Sequence, residues 1–225
     1  MKVTLKTWNY PKLVFVWILN VAVFSGIVSG VLNIRDLESI ATLFSVIETD
    51  PWGHWPYICL LTVVSVFNGV FPRRFKEALV FWPALRPGSR AFSHFLHKDS
   101  TIDRKALQVH FAPFPTDSDE QNALWVGWLG EFSNDPRVLS SYGPYLFARD
   151  WMVIATATLV VAGPLSLWLA ADTGRALAYG AVLVCQCAVA RWVARVQGEQ
   201  LVKTVMSCKG SSLASRSVEN HNVSA

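Results

Sequence analysis

The amino-acid sequence predicts an all-α, polytopic membrane protein: four transmembrane helices, with a small helical cytoplasmic subdomain between the second and third. Three observations predict this fold class. Hydrophobic residues make up 52% of the 225-residue chain and charged residues only 16%, whereas soluble chains carry about a quarter. Four long apolar runs are separated by polar segments. The basic residues collect in segments that a four-span topology places on one side of the bilayer.

The first predicted span covers residues 13–32 and follows a basic N-terminus, residues 1–12. Its 20 residues carry no charge, and about 20 are needed for a helix to cross a bilayer. A signal peptide is the alternative, but its apolar core is usually only about 7–15 residues long. Small residues recur here at a spacing that lets helices approach closely, namely Ser25, Gly26, Ser29 and Gly30.

The remaining spans are predicted at residues 55–71, 151–171 and 176–194. An acidic outer loop, residues 33–54, precedes the second, and residues 172–175 make a tight hairpin between the last two. Pro164 is predicted to kink the third span. Ala181 and Cys185 give the fourth span a small-residue packing face. Three amides at membrane depth either bond between helices or line a hydrated path, namely Asn20, Asn68 and Gln186.

The orientation follows from the distribution of Lys and Arg. The N-terminus, the middle segment and the C-terminal part, including the end of the fourth span, hold 18 of the 20 basic residues. Positive residues favour the cytoplasmic side, so both termini are predicted to be cytoplasmic. The tail, residues 195–225, is rich in serine and shows no apolar periodicity, which predicts that it is largely disordered.

The predicted cytoplasmic subdomain, residues 72–150, contains three helix-start signals. Asp103 is expected to cap one helix, Thr116 or Asp117 a second, and Asp135 a third with Pro136 in its first turn. Ser118 and Gln121 have the spacing of a capping box. Gly143-Pro144 is expected to interrupt the third helix before the membrane.

The stretch RPGSR is the first candidate site, for an anion or a lipid headgroup. Glycine can adopt a positive φ and line up backbone N–H groups as an anion-binding nest, and arginines can add bidentate contacts. The alternative is a Pro-Gly turn whose arginines simply lie next to the membrane. The residues of this candidate are Arg86, Gly88, Ser89 and Arg90, with Arg73 and Arg74 nearby in sequence.

His94 and His97 are the second candidate, as an acid–base pair or as metal ligands. No HExxH pattern accompanies them, so packed or interfacial histidines are the favoured interpretation, and no metal or cofactor is predicted. Asp117, Asp119 and Glu120 are interpreted as helix-capping carboxylates. The four cysteines form no C-x-x-C pair. No nucleophile elbow, phosphate loop or dinucleotide fingerprint is present, so no catalytic residue is assigned.

Four segments of the chain resemble a group of bacterial four-span inner-membrane proteins of no known activity. That group carries a Pro-Gly-x-Arg-Ala-Phe turn after a span, and the resemblance covers about a third of the chain. It implies a bacterial inner-membrane location and a shared cytoplasmic module, and it implies no activity. The segments are FWPALRPGSRAFS, STIDRKAL, PTDSDEQNALW and YLFARDW.

Three functional hypotheses remain open. In the leading one, the cytoplasmic module binds a partner protein or an anionic ligand and the four-helix bundle anchors it or responds to it, for example as a membrane-perturbing defence or stress effector. In the second, a membrane enzyme acts on a lipid or phosphate-containing substrate, with Arg86 and Arg90 binding phosphate and His94 or His97 as acid or base. The third is a small transporter or channel subunit.

The expected partners are the lipid bilayer and either a second copy of the chain or another protein. A net charge of +4 is too modest to indicate nucleic acid, because basic residues in membrane proteins also set orientation.

Overall fold

The computed structural model describes residues 5–28, 62, 69–81, 86–170 and 172–223, and their regular secondary structure is entirely helical. The predicted all-α class is therefore confirmed for these residues. Most of the outer loop 33–54 and of the span 55–71 lies outside them, as do Ser29, Gly30 and Asn68. The α-helices are α1 (Leu5–Val28), α2 (Arg73–Phe81), α3 (Leu96–Lys98), α4 (Arg104–Phe111), α5 (Ser118–Glu131), α6 (Pro136–Leu169) and α7 (Thr173–Val223).

The chain divides into two compact units. The first unit comprises residues 1–76 and 147–193, and the second comprises residues 77–146 and 194–225. The long helices α6 and α7 contribute residues to both units. The second unit thus contains most of the predicted subdomain together with the C-terminal part of α7.

The first unit is held together where α1, α6 and α7 meet. Phe24 and Ile27 of α1 pack with Ala162 of α6 and with Tyr179 and Leu183 of α7. The rings of Phe24 and Tyr179 lie 5.6 Å apart between centroids. Large aromatic and branched side chains of α1 and α7 therefore make this contact, together with the small Ala162 of α6.

Two sequence predictions about helix packing in the first unit are wrong. Ala181 and Cys185 are exposed, because Tyr179 and Leu183 occupy the buried face of α7. Asn20 is buried, but its amide donates to the Val16 carbonyl oxygen of its own helix at 2.8 Å. Gly26 is buried, as a packing residue should be.

The helices α6 and α7 are long and apolar enough to cross a membrane. Their most apolar 18-residue windows have mean hydropathies of 1.9 and 1.5, and only 39% and 22% of those windows are buried. The apolar stretch of α1, Asn9–Phe24, is shorter. The predicted third and fourth spans fall within α6 and α7, and Thr173 to Arg175 of the predicted hairpin already belong to α7.

The predicted interruption at Gly143-Pro144 is wrong, because α6 runs unbroken from Pro136 to Leu169. Proline in a helix interior removes one backbone hydrogen bond and costs about 3 kcal/mol. Val138 and Tyr145, on either side of the pair, are 0% and 1% exposed. Burial of these two side chains offsets the cost, since each fully buried large apolar side chain contributes about 1.5–3 kcal/mol.

The prediction of a disordered tail is also wrong, because α7 continues to Val223. Leu201, Val202, Val205 and Met206 are completely buried, and they recur at helical spacing. Lys209 extends the same face: its ammonium lies 2.7 Å from Glu131 Oε2 and 5.6 Å from the centroid of the Phe111 ring. The periodicity was obscured because a lysine stem occupies an apolar position.

The three predicted helix starts in the second unit are confirmed. Asp103 Oδ1 accepts from the Ala106 amide at 3.0 Å, and Asp117 Oδ2 accepts from the amides of Asp119 and Glu120. Asp135 Oδ1 accepts from the Arg137 amide at 2.8 Å. The capping box is wrong, because Asp117 is the cap and the side chain of Gln121 is used elsewhere.

Candidate functional site

The stretch RPGSR forms a 3₁₀ helix, Pro87–Arg90, in which Gly88 does not have a positive φ. A Cβ at Gly88 would lie 2.7 Å from Cε3 of the buried Trp125 ring and 3.0 Å from Asn122 Oδ1. The glycine therefore allows this segment to approach α5, and the prediction that its backbone opens as an anion-binding nest is wrong.

The neighbours of Gly88 are also engaged in structure. Ser89 is buried, and its hydroxyl donates to the Arg86 carbonyl oxygen at 2.7 Å. Arg86 Nη1 lies 3.5 Å from Asp119 Oδ1 in an exposed ion pair. Neither side chain is arranged around an enclosed anion site.

Gln121 links this segment to α5, a role that the sequence pattern did not predict. Its Oε1 accepts from the amides of Phe92 and Ser93 at 3.2 and 3.3 Å, while its Nε2 donates to the Thr116 carbonyl oxygen. It is 1% exposed. A signal was available, because Gln121 lies on the same helical face as Trp125 and Trp128, and a buried amide requires partners.

The histidines lie on an open surface. Arg90, His94 and His97 are exposed on one side of the π-helix Ala91–Phe95 and α3, while Phe92, Phe95 and Leu96 are buried on the other. Within the described residues, no three His, Cys, Asp or Glu side chains are grouped to hold a metal ion. Arg73 and Arg74 are exposed on α2 in the first unit. The arrangement that the enzyme hypothesis required, a shared pocket, is not formed by Arg86, Arg90, His94 and His97.

A polar pocket of about 360 Å³ lies elsewhere in the second unit. One wall is a single face of α7, since its residues there recur three and four apart. The opposite side is made by the turn before α4 and by the first turn of α6. The lining residues are Asp99, Thr101, Arg137, Gln200, Lys203, Thr204, Ser207 and Cys208.

Both cations of the pocket are held by carboxylates. Lys203 Nζ lies 3.3 Å from Asp99 Oδ2. The backbone amide and the hydroxyl of Thr101 donate to Asp99 Oδ1 at 3.0 and 2.7 Å. These two hydrogen bonds, followed by the contact with Lys203, hold the pKa of Asp99 below its ordinary value. Arg137 forks onto Asp135, with Nε at 3.2 Å from Oδ1 and Nη2 at 3.0 Å from Oδ2.

The Arg137–Asp135 contact also shifts both titrations. It lowers the pKa of Asp135, chiefly through the side-chain hydrogen bond from Arg137, and that same bond raises the pKa of Arg137. Asp99, Asp135 and Arg137 are therefore charged at neutral pH.

The hydroxyl groups of the pocket donate their hydrogens to backbone carbonyl oxygens of the protein. The Thr204 hydroxyl donates to the Gln200 carbonyl oxygen at 2.9 Å, and the Ser207 hydroxyl donates to the Thr101 carbonyl oxygen at 3.2 Å. Burial raises the pKa of the Cys208 thiol. A thiol with a raised pKa is a poor nucleophile at neutral pH, so the pocket is suited to binding rather than to covalent chemistry.

The first unit contains a separate buried charge cluster. Asp150 Oδ1 accepts from Lys76 Nζ at 3.1 Å and from Nε and Nη2 of Arg149 at 3.2 and 3.0 Å. The side chains of Lys76 and Asp150 are 6% and 7% exposed. A buried carboxylate shared by two cations fixes α2 against α6, and this is a structural role.

No protein-family model matches the chain, and no curated protein or solved structure shows significant similarity to it.

Proposed function

We propose that the chain is an integral membrane protein whose second unit is a cytoplasmic module that binds an anionic ligand. The observation that carries the membrane assignment is the exposure of apolar side chains along α6 and α7 in the first unit. Trp168 is 81% exposed and Val160 66% on α6, and Trp192 is 67% exposed on α7. Exposed apolar surface of this extent needs an apolar partner.

A lipid bilayer is the partner whose dimensions fit these helices. The most apolar windows are long enough to cross hydrocarbon, yet most of their residues are not buried by protein. A core helix of a water-soluble protein would be covered on most sides. Tryptophans near the ends of the apolar stretches, Trp168 on α6 and Trp192 on α7, match the aromatic belts of membrane interfaces.

We infer a four-span topology with both termini in the cytoplasm, in a bacterial inner membrane. The support is the sequence pattern: the apolar runs at residues 13–32 and 55–71 add two spans to α6 and α7, and 18 of the 20 basic residues fall on one side. In this topology the second unit, with its pocket, faces the cytoplasm.

The binding role is supported by the polar pocket of about 360 Å³ in the second unit. The same helix, α7, carries exposed apolar residues in the first unit and lines this pocket in the second. A ligand in the pocket would therefore contact an element that also contacts lipid.

Membrane insertion is tested by extracting bacterial membranes with alkaline carbonate after expression of three chains. We expect the wild type to stay in the pellet and Val182→Arg/Val184→Arg to be released in larger part, because both positions are exposed near the middle of the proposed span and each arginine at mid-bilayer costs about 2.5–3.5 kcal/mol on insertion scales. Val109→Arg is the matched control, because Val109 is equally apolar and 82% exposed in the second unit, and it should stay in the pellet.

Release of the wild type by carbonate would contradict the membrane assignment. Topology is measured separately with a C-terminal reporter that is fluorescent only in the cytoplasm. A dark reporter on a chain retained in the membrane would contradict the orientation but not the insertion.

A further inference from the structure

We propose that the polar pocket of the second unit binds a small phosphate- or carboxylate-bearing molecule that also carries hydroxyl groups. The proposal rests on the proposed function, because it gives the binding module its ligand class. It is carried by the charges, the unused hydrogen-bonding capacity and the size of the pocket.

The charges of the lining favour an anion. Arg137 and Lys203 are the two cations, and Asp99 is the single carboxylate among the lining residues. Asp135, which balances Arg137, is not part of the lining. Because each cation is balanced by a carboxylate, a ligand with one or two negative charges is attracted by the hydrogen-bond donors that these ion pairs leave unused, rather than by a net positive charge.

Both cations are held in place by their ion pairs, and both still have N–H groups that can donate to a ligand. The fork of Arg137 onto Asp135 uses Nε and Nη2, so the hydrogens of Nη1 are left over from this ion pair. Lys203 Nζ has three hydrogens, and its ion pair with Asp99 needs one of them. Cations fixed by such contacts lose little side-chain freedom when a ligand binds, which favours affinity.

The hydroxyl groups of the pocket add a preference for ligand donors. The hydroxyls of Thr204 and Ser207 donate to backbone carbonyl oxygens, and the Thr204 oxygen also lies 3.1 Å from the Ser141 hydroxyl. The Ser207 oxygen therefore keeps two lone pairs, and the Thr204 oxygen one, as acceptors toward a ligand. Gln200 provides an amide that can both donate and accept. A hydroxylated anion matches this set better than a bare inorganic ion does.

The size and composition of the pocket exclude other ligand classes. A volume of about 360 Å³ lies at the small end of the roughly 300–1,000 Å³ typical of ligand pockets, which fits a small metabolite rather than a dinucleotide. Among the described residues no three His, Cys, Asp or Glu side chains meet here to hold a metal ion. The charged and polar lining is unsuitable for an apolar chain, so a lipid could offer only its headgroup.

The test uses the full chain purified in a neutral detergent, with binding measured by titration calorimetry at constant ionic strength. The probes are glycerol 3-phosphate, citrate, inorganic phosphate and uncharged glycerol. We expect glycerol 3-phosphate or citrate to bind saturably, inorganic phosphate to bind more weakly, and glycerol not to bind. Absence of saturable binding for all three anions would overturn the proposal.

Variants locate the site. Arg137→Gln and Lys203→Gln should each weaken binding by about tenfold or more, since each removes a charge-assisted hydrogen bond. Arg104→Gln changes the net charge equally at an exposed position outside the pocket and should stay within about twofold of wild type. Equal weakening by Arg104→Gln would contradict a specific pocket.

Lys203→Arg is the control for folding. It keeps the positive charge, so it should retain most of the binding, and its circular dichroism spectrum should match that of the wild type.

A second titration distinguishes a lipid headgroup from a free metabolite as the source of the anion. It is repeated in the presence of nanodiscs made of phosphatidylglycerol or of phosphatidylcholine. If only the phosphatidylglycerol nanodisc competes with the soluble anion, the ligand of the pocket is a lipid headgroup. If neither nanodisc competes, the ligand is a free metabolite. Carbonate extraction fails or succeeds independently of these titrations, so failure of the ligand and failure of the membrane assignment are distinguishable.

Discussion

Two stretches of α7 differ in the exposure of their large apolar side chains, although Tyr179 and Leu183 of the first are buried and Val196 of the second is exposed. Up to Val193, in the first unit, the exposed apolar side chains are those of Leu177, Val182, Val184, Val189 and Trp192. From Ala194 on, in the second unit, the buried ones are those of Leu201, Val202, Val205, Met206 and Leu213. One continuous helix thus needs two apolar surroundings, a protein core in one stretch and, on our proposal, hydrocarbon in the other.

The charged side chains of α7 are also distributed differently between the two stretches. Residues 176–190 of α7 contain no Asp, Glu, Lys or Arg, whereas Lys203 and Lys209 further along are paired with Asp99 and Glu131. A lysine in the second stretch can bury its stem because a carboxylate is provided for its head. Arg191 and Arg195 lie close to the change from one stretch to the other, where interfacial cations are expected.

The largest expected effect tests this comparison directly with the same substitution in each stretch. Leu201→Ala should destabilise the second unit by about 2–5 kcal/mol, because it leaves a cavity in a protein core. Leu177→Ala, at a position 61% exposed, should change stability in detergent by less than about 0.5 kcal/mol. The measurement is hydrogen–deuterium exchange of residues 99–146 in both variants.

Equal protection of residues 99–146 in the two variants would contradict the division of α7. Leu183→Ala is a further control, since Leu183 is buried in the first unit. It should loosen α1 and leave exchange in residues 99–146 as in the wild type.

The next effect tests how closely the second unit is packed. Gly88→Ala would bring a methyl group against the Trp125 ring, with a first contact of 2.7 Å. Overpacking of this kind costs about 1–3 kcal/mol. In Gly127→Ala the new methyl group has nothing within 4 Å, so the helix should gain up to about 1 kcal/mol from the better helix former.

The two glycine variants are compared by the midpoint of thermal unfolding, measured by circular dichroism. A midpoint for Gly88→Ala at or above that of Gly127→Ala would contradict the close packing of RPGSR on α5. Such a result would reopen the turn as a candidate for ligand binding.

A smaller loss of stability is expected when Lys209, which connects α7 to the rest of the second unit, is replaced. Lys209→Ala removes the ion pair with Glu131 and the contacts with the rings of Phe111 and Phe132. Glu131 is 41% exposed and can be solvated in the variant, so the loss should be only about 1–2 kcal/mol. Lys105→Ala, at an exposed position, should change the unfolding midpoint little.

Local signals in the sequence were sufficient for the helix starts and for the apolar stretches within α6 and α7. Asp103, Asp117 and Asp135 act as caps because capping depends only on residues within one turn. The C-terminal stretch was not predictable by the same means. Its apolar face is completed by a lysine stem, and its partners, such as Glu131, are far away in the sequence.

The candidate site shows the same limit. RPGSR attracted attention because Gly and Arg suit anion binding, yet the function of Gly88 depends on Trp125, which is 37 residues later. The pocket was missed although Gln200, Lys203, Thr204, Ser207 and Cys208 have clear helical spacing. A polar stripe on an isolated helix looks the same whether it faces bulk water or a pocket, and only the placement of Asp99 and Arg137 distinguishes the two.

The smallest expected effect is the pH dependence of the Asp99 contacts in the pocket wall. The folded-state pKa of Asp99 lies below its ordinary value of 3.8, so its contribution to stability is present above that value and is lost as the pH falls through the lowered pKa. Asp99→Asn should therefore lower the unfolding midpoint at neutral pH, and the difference from wild type should vanish only below the ordinary value. Thr101→Val removes the hydroxyl donor at 2.7 Å but keeps the amide donor, so the folded-state pKa of Asp99 should rise towards its ordinary value. The contribution of Asp99 to stability should then be smaller, and its loss on acidification should be complete at a higher pH. A difference between wild type and Asp99→Asn that is unchanged down to about pH 2 would show that the charge of Asp99 does not hold this wall in place.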